Sequence, residues 1–227
     1  SSLLRIKHTN PELKPLLKAC GNGSSELMSN ISSSFVSMLY NFQLMKYAGE
    51  DGIAAYGVLM YTWMIFGSVF VGYAIGTAPI ISFHYGAENY DELKGMLKKS
   101  VVLMFGGGIL MLCAAWALSA PLSYIFVGYD RELFELTKHA FRIFAFSFVM
   151  SGFNIFASSF FTALNNGAIS AAISFLRTLV FQMTAVLVLP LIFGIDGIWW
   201  AVIAAELFAL VISAIFIVSK RNRYHYF

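Results

Sequence analysis

Six apolar stretches follow one another along the chain at about 24–46, 53–83, 100–126, 131–164, 168–193 and 198–219, with short polar turns between them. A helix needs roughly 20 residues to cross the hydrocarbon core of a bilayer. The pattern therefore predicts an all-α integral membrane protein, a bundle of six transmembrane helices. Composition agrees: 59% of the residues are hydrophobic and 12% are charged, against about 25% charged in soluble domains. A water-soluble surface cannot be built from so few charges, which excludes an ordinary soluble enzyme, a disordered chain and a nucleic-acid-binding domain. A β-barrel is excluded because the runs are long and continuously apolar rather than alternating.

The breaks are readable. Gly49-Glu50-Asp51-Gly52 ends the first span and Gly86-Ala87-Glu88-Asn89 the second, whose last turns Pro79 is expected to kink. Asn89 is placed to cap an amphipathic stretch, Asp91–Lys99, that leads into the third span. Gly128-Tyr129-Asp130, Asn165-Asn166-Gly167 and Gly194-Ile195-Asp196-Gly197 supply the remaining turns. The fourth helix is longer than a bilayer requires, so its charged first turns should stand outside the hydrocarbon. We divide the chain into a leading segment 1–13, a six-helix unit 14–219 and a basic tail 220–227. The opening residues, with Arg5, Lys7, Pro11 and Pro15 and no signal-like apolar run, read as a loop within a longer protein.

Six spans put both ends on one side. That side carries Arg5, Lys7, Lys14, Lys18, Lys94, Lys98, Lys99, Lys220, Arg221 and Arg223, and Arg177 lies in the same half of the fifth helix. The other side carries Lys46, Arg131, Lys138 and Arg142. The positive-inside rule makes the first side, and with it both ends, cytoplasmic. Tyr224, Tyr226 and Phe227, and Trp199-Trp200 at the other end of the last span, fit interfacial aromatic belts.

Polar residues inside the spans are the functional signal, because lipid offers them no partner. The first helix holds Glu26, Asn30, Ser33, Ser37 and Asn41, and the fourth holds Ser147, Ser151, Asn154, Ser158 and Thr162. At a helical turn of 100° per residue each set falls within an arc of about 80°. The fifth helix adds Ser170, Ser174 and Arg177 on one face, and the sixth carries Glu206 near its middle. Serines alone are ordinary helix-packing residues. Asn30, Asn41 and Asn154 need more partners than packing supplies, and Glu26 and Glu206 are the groups expected to hold a proton or cation. Two such stripes suggest a shared watery substrate cleft lined by Asn30, Ser33, Ser37, Asn41, Ser151, Asn154, Ser158 and Arg177. A pairing of Glu206 with Arg177 is the structural alternative. Cys20 and Cys113 are not placed for a disulfide, and the four histidines show no metal-ligand spacing.

Several stretches, taken in order, resemble a known family. They include Ala54-Ala55-Tyr56-Gly57-Val58, Pro79-Ile80-Ile81-Ser82, Tyr85-Gly86-Ala87-Glu88-Asn89, Ser158-Ser159-Phe160-Phe161-Thr162-Ala163-Leu164, Ser174-Phe175-Leu176-Arg177-Thr178-Leu179-Val180-Phe181, Leu189-Pro190 and Gly194-Ile195-Asp196-Gly197-Ile198-Trp199. The resemblance is to the second half of the multidrug and toxic compound extrusion (MATE) family, and covers about residues 14–220. It implies one lobe of a twelve-helix MATE-type transporter, with a missing N-terminal six-helix lobe as partner. It also implies a secondary antiporter of the bacterial plasma membrane that expels small cationic or aromatic compounds in exchange for sodium ions or protons, with no other cofactor. Glu26 resembles the family's acid on helix seven. Its acid on helix ten is absent, since the fourth helix here has Asn154 and serines.

A lipid-linked oligosaccharide flippase of the same superfamily is the related alternative. Arg177 is the one deeply placed basic residue, fewer than a pyrophosphate cleft calls for. An intramembrane serine protease would need a serine–histidine pair at one depth, and His84 and His139 lie near helix ends, so no enzyme is expected.

Overall fold

The computed structural model describes residues 13–226, apart from the side chains of 15, 22, 24–26, 28 and 29. The described chain is helical throughout. The helices are α1 (Leu13–Gly86), α2 (Tyr90–Val127), α3 (Arg131–Phe144), α4 (Phe148–Ala163), α5 (Gly167–Phe175), α6 (Gln182–Phe193) and α7 (Ile195–Tyr224). A 3-10 turn, Ala145–Ser147, joins α3 to α4, and a π-helical segment, Leu176–Phe181, joins α5 to α6.

Five helical stretches among the described residues are long and apolar enough to cross a membrane: Asn30–Gly86, Tyr90–Val127, Arg131–Ala163, Gly167–Phe193 and Ile195–Tyr224. The first counts twice. Its 57 residues would extend about 85 Å as one rod, nearly three bilayer cores. Instead, Gly49 leaves the helical region (φ 63°, ψ −148°) and α1 folds back on itself. The Tyr40 and Tyr56 rings then stack with centroids 5.1 Å apart, whereas 16 residues of straight helix would hold them roughly 24 Å apart. Gly194, between α6 and α7, takes nearly the same conformation (φ 60°, ψ −138°). In both turns a residue with a Cβ would be strained, and both read Gly-x-Asp-Gly-Ile. The bundle therefore has six crossings.

Asn89 caps α2 as expected, its Oδ1 accepting from Glu92 N at 3.4 Å. Asp130 caps α3 through Glu132 N at 2.8 Å and Leu133 N at 3.2 Å. The amphipathic stretch 91–99 and the third span are one helix, α2. Pro79 lies inside α1 with helical backbone, and Gly49 is the one non-helical position within that helix. The long fourth helix divides at the 3-10 turn, which separates amphipathic α3 from apolar α4. The basic residues Lys220, Arg221 and Arg223 belong to the C-terminal end of α7, Arg221 and Arg223 in its last turn. There they complement the negative end of the helix dipole.

α4 is the central helix, packed against α1, α2, α5 and α7. Its Phe148, Phe156, Phe160 and Phe161 are fully buried. Large apolar side chains such as Met38, Phe42, Leu191 and Ile192 point outward, which is stable only if the surrounding solvent is hydrocarbon.

Candidate functional site

The polar stripe of α4 turns into the bundle. Ser158 Oγ lies 2.9 Å from both Ser170 Oγ and Ser174 Oγ, and Thr162 Oγ1 donates to Ser170 Oγ at 2.7 Å. Ser151 Oγ donates to the Ser147 carbonyl one turn back at 2.9 Å. Lipid leaves hydroxyls no other partner, so Ser158 and Thr162 zip α4 to α5. Ser151 and Ser158 thus lie within the lobe, satisfied by their neighbours.

Asn154, in the same stripe, does something different. It is fully buried, and its Nδ2 donates to Glu206 Oε2 at 2.7 Å and to the Glu206 carbonyl at 2.9 Å. Arg177 completes the knot. Its Nε lies 3.0 Å and 3.2 Å from the two Glu206 carboxylate oxygens, and its Nη2 lies 2.7 Å from Oε1. This is a bidentate ion pair, the strong form of a charge-assisted hydrogen bond. Arg177 lies ten residues into the Gly167–Phe193 stretch and Glu206 eleven into α7. At about 1.5 Å per residue both sit some 15 Å deep, near the middle of a bilayer core.

Arg177 belongs to the π-helical segment. Such segments lodge an extra residue in a helix and recur at functional sites. Two buried polar atoms nearby have no hydrogen-bond partner among the described residues: Asn154 Oδ1 and the Tyr40 hydroxyl. Tyr40, from the first arm of α1, lies within electrostatic reach of Glu206. The site is thus assembled from α1, α4, the π segment and α7.

The first-helix stripe lies elsewhere. Asn30 and Ser33 are exposed, and Ser37 and Asn41 are half-buried, with Ser37 beside the Tyr56 hydroxyl. The stripe borders the buried face of α1 and does not join the knot. The Glu26 side chain lies outside the described residues.

Two further clusters were not anticipated. At one end of the bundle, His139 Nε2 on α3 meets Asp196 Oδ1 in the first turn of α7 at 2.9 Å. At the opposite end of the bundle, Tyr224 and Tyr226 are buried rather than interfacial. The chain reverses at His225 (φ 54°) and lays the Tyr226 ring on Phe160, centroids 5.3 Å apart. Tyr226 donates to the Ile217 carbonyl at 2.9 Å, and Asn166 Nδ2 donates to the Tyr224 hydroxyl at 2.7 Å. Burial, and secondarily the neighbouring Tyr224, push the Tyr226 hydroxyl pKa above its ordinary value. Trp199 is also buried, which leaves Trp200 as the exposed member of that pair. Aromatic residues at span ends read alike in sequence whether they face headgroups or plug the bundle. The signal that separates them here is Asn166, a polar partner at the same end.

The MatE family profile matches residues 27–188. The chain belongs to the MatE family. The chain is 20% identical over 222 residues to the multidrug export protein MepA of Staphylococcus aureus, strain bovine RF122 / ET3-1, covering 97% of this chain and 48% of MepA. MepA of Staphylococcus haemolyticus is also 20% identical, over 219 residues, covering 96% of this chain and 47% of that one. Solved structures carry the fold at low identity. An outward-facing multidrug resistance MATE family transporter of the MOP superfamily aligns with a TM-score of 0.89 at 18% identity, over 98% of this chain and 50% of that one. A MATE structure in complex with MaL6 aligns with a TM-score of 0.87 at 18% identity, over 95% and 49%. This MatE chain therefore spans about half the length of the curated relatives it matches. It is a multi-pass membrane protein with the fold of one MATE lobe.

Proposed function

We propose that this chain is the C-terminal half of a twelve-helix secondary transporter of a bacterial plasma membrane. Its partner is an N-terminal six-helix lobe, and together they export small cationic or aromatic compounds in exchange for sodium ions or protons. Both ends of the chain are cytoplasmic. Membership of the MatE family, the half-length match to two multidrug export proteins and the polar stripe left on α1 support this reading.

The observation that carries it is the Arg177–Glu206–Asn154 knot at mid-depth. Ionisable residues inside a membrane are costly, and where they occur they mark ion or proton pathways. In the proposed cycle the coupling ion competes with Arg177 for the Glu206 carboxylate, and the π segment carries Arg177 away when the ion wins. A pair held within a few kcal/mol of release gives the minor state a population of about 0.1–10%, enough for a ligand to select. Rocking of one lobe against the other then exposes the cleft to alternate sides. Glu26, by its resemblance to the family's acid on helix seven, is a second coupling acid.

The test is efflux from vesicles carrying the two-lobe protein under a sodium or pH gradient. Glu206→Gln is expected to reduce gradient-driven efflux to that of empty vesicles at normal expression, and Glu26→Gln likewise. Full efflux in the Glu206 variant would discard the knot as the coupling site. Vesicles carrying this chain alone are expected not to transport; gradient-driven uptake by it alone would overturn the half-transporter reading.

A further inference from the structure

The knot has a closed side and an open side. A carboxylate offers about four acceptor positions, and Glu206 fills them with Arg177 Nε, shared between both oxygens, Arg177 Nη2 and Asn154 Nδ2. Its side chain is 4% exposed. The Arg177 side chain is 19% exposed. Its Nη1 has no hydrogen-bond partner among the described residues, and it is not among the buried atoms lacking one. The guanidinium thus gives its Nε/Nη2 edge to Glu206 and leaves its Nη1/Nη2 edge without a partner among the described residues.

That edge carries two parallel N–H groups, the fork that fits the paired oxygens of a carboxylate or phosphate. At mid-depth it cannot face hydrocarbon, where unpaired polar groups are not tolerated. On the reading proposed above, it faces the watery cleft between lobes. A ligand reaching the knot from that cleft meets donors and positive charge first, and the acid lies behind them. We infer that Arg177 is a ligand-binding residue for a planar anionic group, the carboxylate or phosphate of an amphiphilic substrate, with Glu206 behind it as the competing counter-ion.

The two-lobe protein in phosphatidylcholine nanodiscs is titrated, without any gradient, with rhodamine 110, which carries a free carboxylate, and with its methyl ester, rhodamine 123. Binding is read by fluorescence polarisation. The acid is expected to bind about tenfold more tightly than the ester, as for a charge-assisted bidentate contact. Glu206→Gln, which removes the competing negative charge but keeps Arg177, is expected to raise that ratio. Arg177→Gln with Glu206→Gln, which leaves no unpaired ion, is expected to bring it to about one. Replacing part of the lipid by phosphatidylglycerol separates the sources: loss of acid binding assigns the site to a lipid phosphate, and retention to a dissolved amphiphile. Equal binding of acid and ester by the unaltered protein, no binding of either, a ratio that falls in Glu206→Gln, or one that survives in the double variant would each overturn the inference. Because no transport is measured, a failure here leaves the coupled-efflux reading standing, and a failure of efflux leaves this test intact.

Discussion

The Arg177–Glu206 pair predicts a strongly non-additive mutant cycle. Removing one partner of a buried ion pair costs about 3–5 kcal/mol, while replacing both with neutral residues is often nearly free. The structure sets the order within that range. Arg177→Gln strips three of the four donor contacts on Glu206 and leaves a nearly inaccessible carboxylate held by Asn154 alone. Glu206→Gln leaves a guanidinium that cannot deprotonate, but one whose far edge is already accessible. It also keeps a carbonyl oxygen for Asn154. Unfolded helices in a micelle find substitute partners, which trims both values. We therefore expect losses of about 3 kcal/mol for Arg177→Gln and about 2 kcal/mol for Glu206→Gln. The double variant should lose under about 1 kcal/mol, an interaction energy near 4 kcal/mol. Equilibrium unfolding in dodecyl-sulfate mixed micelles, followed by tryptophan fluorescence, measures all four proteins. A double variant whose loss equals the two single losses within about 0.5 kcal/mol would refute the pairing.

Other expectations follow from single contacts. Gly49→Ala and Gly194→Ala each place a Cβ at a positive φ and should each cost about 1–3 kcal/mol; unchanged unfolding midpoints would contradict the hairpin turns. Ser170→Ala removes the hydroxyl shared by Ser158 and Thr162 and should cost about 1–2 kcal/mol, whereas Ser219→Ala, at an exposed hydroxyl that bonds its own helix, should change stability by less than about 0.5 kcal/mol. Asn154→Ala deletes both bonds to Glu206 and should destabilise by about 1–3 kcal/mol. The raised pKa of Tyr226 means the folded state favours its neutral phenol, so stability is retained below the ordinary tyrosine pKa near 10 and falls as pH rises above it. Tyr226→Phe should flatten that alkaline decline while costing about 1 kcal/mol at neutral pH through loss of the bond to Ile217; an unchanged pH profile would refute the assignment.

Most of the fold was legible because lipid makes the sequence speak in long runs. Six apolar stretches give six crossings, and the two Gly-x-Asp-Gly-Ile turns mark where the chain must reverse. Their shared backbone conformation at Gly49 and Gly194 is the physical content of that sequence repeat. The breaks inside spans were not legible. The 3-10 turn at Ala145–Ser147 and the π segment at Leu176–Phe181 carry no glycine or proline to mark them, because what fixes them is packing against other helices. The site was half-legible for the same reason. Spacing put Asn154 on one stripe and Arg177 on another, and charge singled out Glu206, but helix periodicity cannot say which stripes face each other. The α4 stripe could equally have lined an open cleft; contact with Ser170, Ser174 and Glu206 turned it inward instead. That inward turn changes the meaning of the acid. A lone carboxylate in a membrane reads as a cation site, but one saturated by an arginine presents that arginine's outer edge to whatever enters. The polarity a ligand meets is then set by the partner's exposure rather than by the acid that sequence reading finds first.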